Sequence, residues 1–349
     1  ADLQSADMTT GTGQSRKKSL EEITMSRKRK CEKSLNMLRK ISKYLKGRVY
    51  FKKGFYLSKR EFFKEAFKNH AISKSIFIDL QDSLQVAQRF LSMAIIQKNL
   101  GNHLGSVESA VDGLKYSRND QVVPRYRLYN VLGTSYLELK KYNKSLQARD
   151  SSISLLRHKP DKSRRDTLDL IIFCNNKALL LREKGDLDKS LKLLDSVLET
   201  QVLKDPRNLK ERARVLDNKG NVMAKLHLNG AEALMIKGYN LRDSLNDRSG
   251  LNASLIHLSK FYLLNNKPNK ALGWIQKAYK NARDLEIQAA EKEILSIILQ
   301  MKEEFPELFS NDNTRYFEAY QSVDNNLFMM MSEIDELHAE DKYNIERKE

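Results

Sequence analysis

The stretch YNVLGTSYLELKKYNKSLQARDSS, residues 129–152, decides the fold. It contains two small residues, Gly133 and Ser145, which are separated by a polar turn. Small residues at such points let two antiparallel helices approach closely, while larger side chains such as Tyr136 fill the gaps beside them. The stretch therefore predicts a helical hairpin.

The same plan recurs along the chain at intervals of 39 to 45 residues. A period of this length is typical of an array of stacked hairpins, in which each unit contacts its neighbours. We therefore expect six or seven hairpins in one array, although 349 residues would otherwise suggest two or three domains. The small residue of each first helix is predicted to be, in order, Gly54, Ala94, Gly133, Ala178, Gly220 and Ser259. Further predicted packing positions are Tyr136, Tyr262, Ala271 and Ala278.

This pattern resembles the tetratricopeptide repeat, whose signature is a Leu-Gly pair and a Tyr in the first helix and small residues in the second. The resemblance implies an all-α, right-handed superhelical solenoid of antiparallel helix pairs, with first helices lining a concave groove. We assign residues 1–15 to a flexible lead-in, 16–325 to the solenoid and 326–349 to a C-terminal helix. That helix either caps the array, which we favour, or leads into a further segment beyond residue 349. Its near-heptad apolar residues also allow pairing with a second copy.

The register of the repeat also predicts which residues face the groove. Asn side chains can pair with a peptide backbone, and Arg can hold a carboxylate with two hydrogen bonds. We expect a peptide or protein ligand that is acidic or ends in a carboxylate. The alternative is that these positions are simply a solvated polar face. The candidates are Gln88, Lys98, Arg127, Asn130, Thr134, Asn175, Arg182, Arg214, Asp217, Asn221, Lys225 and Lys260.

Catalytic chemistry is not legible in the sequence. The six histidines are isolated, and none has the His-Glu-x-x-His spacing of a zinc site. The two cysteines, Cys31 and Cys174, are too few for a disulfide framework or a cysteine-based zinc quartet. We predict no enzyme activity, no metal and no cofactor. The apolar runs are also far shorter than the roughly 18 residues that a membrane-spanning helix needs.

The charge of the chain is uneven. The net charge is +17, but residues 1–80 hold 20 basic and 8 acidic residues, whereas residues 301–349 hold 5 and 13. The basic run Arg27 to Lys30 could contact nucleic acid or anionic lipid, and a solvated helix face is the simpler interpretation. A nucleic-acid-binding protein is therefore a less favoured alternative.

The segment TRYFEAYQSVDNNL, residues 314–327, resembles the end of the repeats in bacterial tetratricopeptide sensor-regulators common in Bacteroidetes. The matching residues are Tyr316, Phe317, Tyr320, Asp324 and Leu327. This resemblance implies a periplasmic sensor region, with a membrane tether and a histidine kinase or LuxR-type output domain beyond residue 349. A free-standing cytoplasmic adaptor or chaperone-like scaffold is the alternative.

Overall fold

The computed structural model describes residues 10–309 and 314–347, and the side chains from residue 25 onward. Fifteen α-helices and two short 3-10 turns make up this part of the chain, which contains no strand. The helices are α1 (Thr10–Lys59), α2 (Phe63–Asp79), α3 (Ser83–Asn99), α4 (His103–Tyr116), α5 (Val122–Glu138), α6 (Tyr142–Arg157), α7 (Arg164–Lys184), α8 (Leu187–Leu198), α9 (Gln201–Lys204), α10 (Leu209–Lys225), α11 (Ala231–Ser244), α12 (Arg248–Leu264), α13 (Pro268–Asp284), α14 (Gln288–Glu304) and α15 (Arg315–Glu346).

The long helices form seven sequential pairs. The partners are α1 and α2, α3 and α4, α5 and α6, α7 and α8, α10 and α11, α12 and α13, and α14 and α15. Each pair also packs on the next through its second helix. The all-α array of antiparallel pairs predicted from the repeat is confirmed.

A recurring hydrogen bond joins the two helices of a pair at the small residues. The hydroxyl of Ser145 donates to the carbonyl oxygen of Gly133 at 2.6 Å. A Cβ atom built on Gly133 would lie 2.7 Å from Cγ of Arg149, so a larger residue would push the helices apart. Equivalent bonds run from Ser106 to Ala94 at 2.8 Å, from Ser190 to Ala178 at 2.7 Å and, in the opposite direction, from Ser259 to Ala271 at 3.0 Å.

The other packing positions lie at the same contacts. Gly54 faces His70 and the carbonyl oxygen of Ala66, and Gly220 faces Met235. Ala271 and Ala278 are fully buried in the core of the last pairs. Tyr136 packs against a separate core cluster, and the hydroxyl of Tyr262 donates to Glu232 at 2.5 Å.

Tight turns explain why the paired helices are antiparallel. Lys140 between α5 and α6 has a φ of 56°, and Gly185 between α7 and α8 has a φ of 92°. After each of these residues, the next backbone N–H bonds back to a helix carbonyl: Lys141 to Tyr136 and Asp186 to Leu181, both at 2.8 Å. One left-handed residue with this bond ends a helix and reverses the chain within a few residues.

The last helix returns to the beginning of the array. α15 packs on α14 and also on α2. Leu327 and Ile334 of α15 share a core cluster with Phe67 of α2, and Met330, Met331 and Leu337 pack around it. Polar contacts extend the closure: the buried Lys74 pairs with Asp341, and His338 Nδ1 lies 3.2 Å from Gln97 Nε2.

The first helix is much longer than any of the others. α1 spans 50 residues and begins at Thr10, inside the predicted lead-in. Residues 1–9 of that lead-in lie outside the described residues. From residue 25 onward, where the side chains of α1 are described, the embedded part is C-terminal, with Gly47 against Phe77 and Gly54 against His70.

Candidate functional site

The first helices of the later pairs share one surface. A cavity of about 530 Å³ lies on it, lined by residues from α7, α10, α12 and α14. Its apolar floor is formed by Phe261, Leu264 and Ile297. Of the predicted groove residues, Arg182, Asn221, Lys225 and Lys260 line this cavity.

A larger cavity of about 650 Å³ lies where the array closes. It is lined mainly by the α1–α2 turn, the α13–α14 turn and α15. Its polar lining residues lie at helix ends and turns and are Lys59, Arg60, Glu61, Asn99, Ser249, Glu286 and Gln288. The smaller cavity combines an apolar floor with polar groups from four helices, which is the usual composition of a ligand site.

Hydrogen bonds hold the polar lining in place. Arg182 Nη1 donates to Asn221 Oδ1 at 3.0 Å, which joins α7 to α10. Because Asn221 uses its carbonyl oxygen here, its amide N–H groups remain available as donors to a bound backbone. Lys260 Nζ donates to Glu293 at 3.3 Å and joins α12 to α14.

A buried carboxylate supports the histidine of the lining. His257 Nδ1 lies 3.0 Å from Asp217 Oδ2, and Asp217 also faces Arg242 at 3.7 Å. Asp217 has no exposed surface, so it orients His257 from behind and does not reach the cavity. This placement differs from the expectation that Asp217 itself faces a ligand. The reason is that α10 directs this residue toward α11 and α12.

Hydrogen bonds between polar side chains connect neighbouring first helices in the earlier pairs. Arg127 Nη2 donates to Asp169 at 3.0 Å, and Asn176 Nδ2 donates to Asn130 Oδ1 at 3.2 Å. Asn218 Nδ2 donates to Asn175 Oδ1 at 3.0 Å, and Asn175 is buried. Like Asp217, Asn175 therefore links neighbouring helices instead of presenting its side chain to a ligand.

Besides Arg127, Asn130, Asn175 and Asp217, four further predicted groove residues lie outside the cavity. The hydroxyl of Thr134 donates to the carbonyl of Asn130 in its own helix at 3.2 Å. Gln88 and Lys98 are half-buried on α3, and Arg214 is exposed on α10. Burial lowers the pKa of Lys98, and Glu138 opposes that shift.

Carboxylates offset part of the positive charge on this surface. Burial raises the pKa of Glu138 on α5, and Glu293 on α14 and Glu183 on α7 raise it further. Glu138 is therefore influenced by acidic groups from two other first helices. Within the cavity, Arg182, Lys225 and Lys260 stand against Glu183 and Glu304. The lining is only slightly basic, which is less than the sequence predicted.

The sequence reasoning missed the α14 side of the cavity and its whole apolar floor. Gln300 and Glu304 line it from α14, which carries no small-residue signature of the repeat. Phe261 and Leu264 follow the predicted Lys260 by one and four positions, so the helical period could have identified Leu264.

The part of the chain that the structure describes contains neither a metal-binding cluster nor a membrane-spanning helix. No group of three or more His, Cys, Asp or Glu side chains there could hold a metal ion. No helix in the same part is long and apolar enough to cross a bilayer.

Comparison with known proteins gives structural likeness only. No protein-family model and no curated relative matches this sequence. The apo form of RapI is similar in structure, with a TM-score of 0.61 and 16% identity over 81% of this chain and 99% of RapI. Aspartyl phosphate phosphatase F from Bacillus subtilis has a TM-score of 0.58 and 15% identity over 86% of this chain and 73% of its own. NprR in complex with its cognate peptide NprX has a TM-score of 0.59 and 12% identity over 92% of both chains.

Proposed function

We propose that this chain is a non-catalytic, peptide-binding regulatory domain whose ligand lies in the cavity of α7, α10, α12 and α14. One observation carries the proposal. The cavity of about 530 Å³ joins an apolar floor to Arg, Lys, Asn and His side chains from three consecutive first helices, and a fourth adds Gln300 and Glu304. The likeness to NprR, which was solved with its cognate peptide, supports the same assignment.

The lining suits a short peptide with a carboxylate. Asn221 offers amide donors to a backbone carbonyl, and Arg182 is held beside it at 3.0 Å. Lys225 and Lys260 add positive charge near the apolar floor. Glu183 and Glu304 limit the net positive charge, so one carboxylate fits this lining better than a highly acidic segment.

Peptide selection and calorimetry test the proposal. A displayed library of random seven-residue peptides with free C-terminal carboxylates supplies the probe, and each selected peptide is also made with an amidated end. We expect Arg182→Ala and Asn221→Ala to weaken binding about 10- to 100-fold, as loss of hydrogen bonds to charged or backbone groups does. Arg118→Ala is the matched control, because Arg118 is exposed between α4 and α5 and pairs with Asp120. Equal affinity in all three variants would contradict the assignment.

The finer expectations remain proposals. The membrane-anchored sensor version has no support among the similar structures named above, which are RapI, a phosphatase and NprR. The name aspartyl phosphate phosphatase describes that similar protein and not this chain, and the absence of catalysis here stays a prediction.

A further inference from the structure

A long part of α1 has no covering element. Every side chain from Met25 to Lys46 is exposed. At 1.5 Å per residue, this segment extends for about 33 Å. α1 first contacts α2 near the end of this segment, where Lys43 pairs with Asp79 at 2.8 Å and the Tyr44 ring lies 5.4 Å from the Phe77 ring, and it packs closely from Gly47 onward.

An apolar stripe runs along one face of this segment and continues beside the first hairpin. Leu38 is 63% exposed, Leu45 is 58% exposed and Val49 is 64% exposed. The spacings of seven and four place these residues on one helix face. Cys31 and Leu35 fall on the same face. The stripe lies away from the face that packs on α2, because Gly47 and Gly54 are on the other side of the helix.

Positive charge surrounds the stripe. Residues 25–49 contain ten Lys or Arg and a single acidic residue, Glu32. Lys46 and Lys28 fall along one edge of the stripe, and Lys30 and Arg48 fall along the other edge. This combination of a basic polar face and an exposed apolar stripe is typical of helices that lie on membrane surfaces.

We propose that residues 25–49 of α1 bind the surface of an anionic lipid bilayer, with the apolar stripe in the headgroup region and the basic edges on the phosphates. Charge complementarity decides the occupant. Pairing with a second copy would bring two strongly basic helices together, and like charges beside an apolar seam disfavour it. Nucleic acid would engage the basic face and leave the stripe in water.

The single exposed cysteine provides the assay. Cys31 is exposed on the stripe, whereas Cys174 is buried, so an environment-sensitive dye can be attached at Cys31 alone. With phosphatidylglycerol and phosphatidylcholine vesicles, we expect a blue shift and a several-fold rise in emission. With phosphatidylcholine alone we expect neither. A Cys31→Ser, Lys40→Cys variant carries the dye on the opposite face of the helix, where its emission should not change when vesicles are added.

Two further variants separate the contributions. Lys30→Gln, Arg39→Gln and Lys46→Gln together should weaken partitioning about 100-fold, since each basic residue near an anionic surface contributes comparably. Leu38→Ser should reduce the blue shift with little effect on the fold, because Leu38 is exposed. Circular dichroism checks that both variants remain helical.

Three results would overturn the proposal. The first is unchanged Cys31 emission on anionic vesicles. The second is a blue shift without lipid that grows with protein concentration, which would assign the stripe to a second copy. The third is an equal response from Lys40→Cys. None of them bears on peptide binding, because α1 contributes no residue to the cavity on the later first helices.

Discussion

Replacing Asp341 by Asn should open the contact between α15 and α2. Lys74 of α2 has a fully buried side chain, its ammonium group pairs with Asp341, and it lies 4.3 Å from the centre of the Phe90 ring. The side chain of Asp341 is only 11% exposed. The substitution therefore leaves a buried positive charge without its counter-ion.

The expected magnitude follows from the burial. Removing one partner of a buried ion pair typically costs about 3–5 kcal/mol, whereas replacing both partners by apolar residues is often neutral or stabilising. We expect Asp341→Asn to destabilise the closure by about 3–5 kcal/mol. The double variant Lys74→Met, Asp341→Leu should be at least as stable as the wild type.

Hydrogen exchange measured by mass spectrometry is the assay. Asp341→Asn should lose protection in α15 and α2, while α5 and α6 keep theirs. Glu333→Gln is the matched control, because the Lys64–Glu333 pair joins the same two helices but is exposed, and exchange should not change. The reasoning is refuted if Asp341→Asn exchanges like the wild type, or if the double variant is as open as the single one.

The pH dependence gives an independent check on the same pair. Burial lowers the pKa of Lys74, and Asp341 opposes that shift. Without Asp341, the pKa of Lys74 should fall further. Between the folded and unfolded pKa values the unfolded chain binds more protons, so stability rises with pH. The loss of stability in Asp341→Asn should therefore diminish as the pH is raised toward the pKa of free lysine.

Two further predictions concern packing and acid. Gly220→Ala should destabilise the protein by about 1–3 kcal/mol, because the added Cβ would lie 2.5 Å from Cγ of Met235. Gly273→Ala should stabilise it by about 0.5–1 kcal/mol, because the added Cβ would meet nothing within 4 Å. Urea unfolding compares the two variants, and changes in unfolding free energy of the same sign would contradict the steric argument. Burial lowers the pKa of His338 and lowers that of His70 to about 4. The stability that these two buried, neutral histidines contribute is complete above about pH 6.5 and is lost as the pH falls toward 4. The thermal unfolding temperature should therefore decline over this pH range, and His70→Gln should reduce the decline.

The sequence predicts the fold well because close helix contacts restrict residue choice. Gly133 and Ala178 stand where a neighbouring helix leaves no room for a longer side chain, and this constraint repeats with each hairpin. The site is less predictable, because whether a polar side chain is buried or faces the groove depends on its neighbour in another repeat. Asn175 is buried, and its hydrogen-bond partner Asn218 comes from α10, the first helix of the next pair.

The return of α15 onto α2 has no periodic signal at all. Lys74 and Asp341 are 267 residues apart, and no local pattern links them. Leu327 and Ile334 share a core cluster with Phe67, and these residues come together only when the array has folded.

The closure of α15 also sets an order in time. A ribosome adds roughly 5–20 residues per second, so Asp341 is synthesised about 15 to 50 s after Lys74. During that interval α2 exposes Phe67 and the Lys74 ammonium, which α15 later covers. The first hairpin is thus made early and completed only after α15 has been made, and until then the N-terminal repeats of a nascent chain are exposed to chaperones and proteases.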